Sequence, residues 1–134
     1  MIKHRIFFTL LLLMLVGCSD KVPLKGKVVF SDDGCPVPTG TILLSTGTYM
    51  ARGNLKSDGT FVISSVKEND GLPAGKYRVS IIGAQKTTGQ KASGDDISES
   101  LVNEKFEDGK TSGITIDVTP STKFIEIVVD RYQK

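Results

Sequence analysis

The segment Gly75-Lys76-Tyr77-Arg78-Val79-Ser80-Ile81 decides the fold: Tyr77, Val79 and Ile81 fall on one side of a two-residue repeat, Arg78 and Ser80 on the other. That is the period of a strand with one buried face. Ile114-Thr115-Ile116-Asp117-Val118 repeats the alternation downstream. In Phe124-Ile125-Glu126-Ile127-Val128-Val129 the expected inward set is Ile125, Ile127 and Val129, which leaves Phe124 and Val128 beside Glu126. Outward from these segments, short apolar runs alternate with Gly, Asp, Pro and Ser clusters, the mark of strands and turns. Seven strands are predicted, near 24–30, 40–45, 48–55, 60–66, 76–83, 112–118 and 123–130, with the spacing of a sandwich or barrel.

Turn chemistry joins the runs. Ser57-Asp58-Gly59-Thr60 reads as a tight hairpin, so the third and fourth strands are expected to pair. Asp33-Gly34, Asp70-Gly71 and Asp108-Gly109 mark further turns. The stretch 83–112 has few apolar residues and reads as a long surface loop. Within it, Asp96-Ile97-Ser98-Glu99 before Leu101 has capping-box character and predicts one or two helical turns near 97–104. A long loop of this kind is the first place to look for a binding surface.

The N-terminus follows other rules. Lys3, His4 and Arg5 precede an apolar run from Ile6 to Val16 that only Thr9 interrupts. As a helix this run spans about 16 Å, roughly half a bilayer's hydrocarbon core, so residues 1–17 read as a secretory signal peptide rather than a permanent span. Its end, Leu15-Val16-Gly17-Cys18, resembles the bacterial lipobox. The resemblance implies cleavage between Gly17 and Cys18, with Cys18 acylated, by palmitate for example, as the mature N-terminus. An ordinary signal peptide with a chance cysteine is the alternative. Residues 18–23 then form a lipidated tether to a membrane, and 24–134 the sandwich domain. Ser19, rather than Asp, after the cysteine implies the outer membrane of a two-membraned envelope. Stable anchoring generally takes two acyl chains.

Composition narrows the partners. Removing 17 of the 134 residues leaves 117, enough for one domain with a core. Lys3 and Arg5 account for the whole formal excess of +2, so the mature chain is neutral and lacks the basic footprint of a nucleic-acid partner. With Cys18 acylated, Cys35 is the one remaining thiol, and no intramolecular disulfide is expected. Its place in Asp33-Gly34-Cys35-Pro36 argues against deep burial and leaves a free thiol or an intermolecular bridge open.

Taken in order, Gly26-Lys27-Val28-Val29-Phe30, Gly34-Cys35-Pro36-Val37, Lys56-Ser57-Asp58-Gly59-Thr60-Phe61 and Gly71-Leu72-Pro73-Ala74-Gly75-Lys76-Tyr77-Arg78-Val79 resemble the bacterial transthyretin-like, carboxypeptidase-regulatory-like lipoproteins. Lys105-Phe106, with Phe where that group commonly has Tyr, and Thr111-Ser112-Gly113-Ile114-Thr115 extend the likeness over nearly all of the mature chain. The resemblance implies a seven-stranded antiparallel β-sandwich, prealbumin-like or immunoglobulin-like, usually without catalysis. It brings no catalytic residues.

A residue-by-residue search for chemistry agrees. The single histidine, His4, leaves with the signal peptide, and with it the Ser-His, Cys-His and common zinc designs. No Ser-x-x-Lys stands in a helical context. Asp32-Asp33 and Asp95-Asp96 lack the Asp-x-Asp-x-Asp-Gly spacing of a calcium loop, and no phosphate-binding glycine motif is present. The expectation is an enzyme of no kind, without cofactor or metal: a structural or protein-interaction lipoprotein among envelope proteins. The alternative is a small-molecule or glycan-binding module, with Tyr49, Phe106 and Tyr132 as the candidate stacking aromatics.

Overall fold

The computed structural model describes residues 21–134; Gly17, Cys18 and the signal peptide lie outside the described residues. The chain runs through β1 (Lys21–Val22), β2 (Lys25–Phe30), β3 (Thr41–Ser45), β4 (Met50–Asn54), β5 (Thr60–Val62), β6 (Leu72–Pro73) and β7 (Gly75–Ile82). β8 (Gln85–Gln90), β9 (Asp96–Ser100), a 3-10 turn (Glu104–Glu107), β10 (Thr115–Val118) and β11 (Phe124–Val129) follow. A four-stranded sheet, β10-β7-β3-β4, packs on a three-stranded sheet, β11-β2-β5. These are the seven predicted strands, in a β-sandwich.

Alternation explains what fills it. Tyr77, Val79 and Ile81 from one sheet and Val28, Phe61, Ile127 and Val129 from the other are all buried, each contributing about 1.5–3 kcal/mol by leaving water. Phe124 and Val128 remain exposed on the outer face, and Ile125 is half-buried against the core. Ser80, expected outward, is buried because the 3-10 turn lies against β7. The Tyr77 hydroxyl donates to the Pro73 carbonyl at 2.7 Å, the tyrosine corner that fixes such sandwiches where a strand enters the core.

Three expectations require correction. First, the hairpin expected between 48–55 and 60–66 closes only at its turn and at one bridge: β4 pairs with β3 and β5 with β2, while Lys56 N–H donates to the Thr60 carbonyl and Arg52 bridges Ser64, just beyond β5. The turn itself forms, with the Asp58 carboxylate accepting from the Thr60 N–H and hydroxyl. Buried Leu55, however, donates its N–H to the Gly40 carbonyl and carries the chain across to the second sheet. There Phe61 pairs with Gly26, where any Cβ would collide with the phenyl ring.

Second, the sandwich is not wholly antiparallel, since β11 runs parallel to β2 from Phe124↔Lys25 to Val129↔Phe30. The Thr119–Thr122 turn brings the chain from β10 to the end where β2 starts, and Lys25 N–H donates to the Lys123 carbonyl. Both strands therefore set out in the same direction. Third, the 83–112 stretch is not an irregular loop, because β8 and β9 form an antiparallel hairpin with a bulge between Thr87 and Gly89. Residues 97–104 carry no α-helical turn: 97–100 are taken up in β9, and Val102 bridges Arg131 with its side chain in the core. The short 3-10 turn comes later, with the Asn103 side chain accepting from Lys105 N–H.

Candidate functional site: the two ends of the sandwich

Hydrogen bonds at the strand termini define two ends. At one, Leu101 donates to the Ala84 carbonyl and Tyr132 to the Leu101 carbonyl, gathering the ends of β7, β11 and β2 beneath the β8–β9 hairpin. At the other, β1 pairs with β6, Lys21 opposite Pro73 and Val22 opposite Leu72.

The β1 end is fastened through one carboxylate. Asp70 receives the Lys21 ammonium at 2.7 Å, the Ser65 N–H at 2.7 Å, the Val66 N–H at 3.1 Å and the Lys67 N–H at 2.9 Å. Next to it Gly71 adopts a φ of +77°, and a Cβ there would collide with the Val22 carbonyl. Lys21 is the third residue after Cys18, so half of the six-residue tether expected at 18–23 belongs to the fold.

The Lys21 ammonium, followed by the three N–H donors, holds the Asp70 carboxyl well below the usual carboxylate range. A depressed folded-state pKa stabilises the fold above the unfolded value, near 3.9; the contribution shrinks as the pH falls below that value and is gone once it has passed the much lower folded-state value. Acidification below about pH 4 is therefore expected to weaken β1 first, seen as a falling protection factor at the Val22 amide, relative to its intrinsic exchange rate, while the core stays protected. Asp70→Asn should lower that protection at neutral pH and remove its acid dependence. An unchanged profile would show that the carboxylate is not the fastener.

At the opposite end, every residue of β8 is exposed, and β9 pairs with no other strand. A two-stranded ribbon of this kind is marginal on its own in water. Asp32 and Asp33 point at Arg131, with Nε to Asp32 at 2.8 Å and Nη2 to Asp33 at 2.7 Å, and the guanidinium stacks 3.8 Å from the Phe30 ring centre. Asp95 accepts from Ser93 and Asp96 from Gln90. Both acidic pairs are thus engaged in local contacts, and no group of three or more His, Cys, Asp or Glu side chains that could hold a metal occurs among the described residues.

Cys35 is exposed and unpaired among the described residues, and Asp33, first through its hydrogen bond to the thiol, raises the thiol's pKa. Of the aromatics considered for sugar stacking, Phe106 is buried and Tyr49 half-buried, while Tyr132 is exposed. Sequence reasoning had no signal for a groove of about 620 Å³ on the outer face of β7, where Lys76, Arg78 and Lys110 converge beside Ser45, Thr46 and Asp108. Lys76 and Arg78 share the outer face of β7, and only the later turn brings Lys110 beside them.

No family model matches the chain, and no curated protein matches it. Among solved structures, the major pilin subunit BcpA of Bacillus cereus is similar over 84% of this chain and 30% of its own, with a TM-score of 0.46 and 12% identity. A 9R-lipoxygenase from Cyanothece is similar over 84% of this chain and 17% of its own, with a TM-score of 0.44 and 16% identity. The chain thus spans less than a third of either protein.

Proposed function

We propose that the chain is a non-catalytic envelope lipoprotein of the transthyretin-like, carboxypeptidase-regulatory-like kind, acylated at Cys18. Its sandwich is a spacer that holds the β8–β9 hairpin away from the membrane for contact with envelope proteins. Ser19 favours the outer membrane. The observation that carries the reading is the opposition of the two ends: Lys21, three residues from the lipid-bearing cysteine, is pinned at one, and the exposed hairpin projects from the other.

A photo-cross-linker at Ile97, 41% exposed on the hairpin, tests it in the native envelope. One dominant protein partner, absent when the probe replaces Met50 instead, supports the interaction module. The groove beside Arg78 favours a second reading, a binding module for an anionic small molecule, over a glycan binder that would need exposed aromatics. A diffuse cross-linking background at Ile97 would count for that reading and against the first.

A further inference from the structure

We infer that the end of the sandwich around Lys21 is a membrane-contact face seated on anionic phospholipid headgroups. The inference rests on the proposed acylation of Cys18. From Cys18 to Lys21 the chain can extend no more than about 10 Å. Lys21 itself has no slack, because it is held by the Asp70 carboxylate and by the β1–β6 pairing. A folded end on so short a leash must lie against the lipid interface in which its acyl chains are buried.

The residues around that point suit the contact. Val66, 81% exposed, belongs to the loop that donates to Asp70. Phe124, 58% exposed, pairs with Lys25 on the other side of β1. A shallow groove of about 360 Å³ runs from Val22 and Pro23 past Lys25 to Pro120 and Lys123. Lys25, Lys67 and Lys123 are exposed and make no ion pair among the described residues; the acids nearby are Asp70, already engaged, Glu68 and, on the flanking strands, Asp117 and Glu126. Exposed apolar side chains ringed by unpaired lysines are the composition that an anionic interface attracts. At the far end the cations beside the strand termini are already taken, Arg131 by Asp32 and Asp33 and Lys105 by Asp130.

The chain contains no tryptophan, so a single one reports its own depth. Phe124→Trp, with Val66→Trp as a second position, and Tyr132→Trp at the far end are placed in the full lipidated protein. Each is reconstituted in phosphatidylglycerol–phosphatidylcholine vesicles carrying headgroup spin labels. Quenching severalfold stronger at 124 and 66 than at 132 is expected, and it should fall toward the value at 132 when Lys25, Lys67 and Lys123 are all changed to Glu. Equal quenching at both ends in protein whose intact mass includes the acyl chains overturns the face and leaves the anchor standing. Quenching that the Glu changes do not alter overturns the role of anionic lipid. An intact mass without acyl chains overturns the anchor itself, and the inference with it.

Discussion

Cys18→Ala is expected to strip the processed protein of every acyl chain and to move it from the membrane fraction into the soluble one. The magnitudes leave little room for compensation. A single acyl chain gives an association constant on the order of 10⁴ M⁻¹, which is marginal, and two hold stably. Each lysine near an anionic surface adds roughly fivefold, so Lys25, Lys67 and Lys123 together fall short of even one chain. The lysines can orient the domain but cannot retain it. Intact mass and detergent partitioning of the processed form measure the outcome. A processed Cys18→Ala protein that still enters the detergent phase would show that something other than the lipid holds it.

The same separation of scales explains what the sequence made legible. Tyr77, Val79, Ile81, Ile127 and Val129 were readable as core because alternation is a property of one strand, visible without knowing its neighbour. Which strand pairs with which is not such a property. The Asp58-Gly59 turn announced a reversal, yet buried Leu55 and the glycine seat at Gly26 sent β5 to the other sheet. β11 looked the same whether parallel or antiparallel to β2. β8 and β9 lack an apolar face, so their pairing left no periodic trace, and the acid and leucine of 96–101 imitated a helix start. At the candidate site, Asp70-Gly71 was legible as a turn, but its bond to Lys21 spans 49 positions and has no local signature. The lipobox was readable because its chemistry is contiguous.

The largest stability effect is expected at Phe61, 1% exposed, whose ring lies where β5 meets β2. Phe61→Ala removes a buried ring that neighbouring backbone cannot replace, because Gly26 has no side chain to move into the gap. The expected cost is about 3–5 kcal/mol, a fall of roughly 10–20 °C in Tm for a domain of this size. Val128→Ala, on the exposed face of the neighbouring strand, should cost no more than about 0.5 kcal/mol. Gly26→Ala should also destabilise, since its new methyl meets both the Phe61 ring and the Ile125 carbonyl. In the double variant the ring is gone and the methyl partly fills its space, so the two costs should sum to more than the pair shows together. Thermal unfolding of the four proteins tests this directly. Strict additivity would mean that Gly26 is glycine for the Ile125 carbonyl alone, and a Phe61→Ala loss below about 1 kcal/mol would mean that the ring does not join the two sheets.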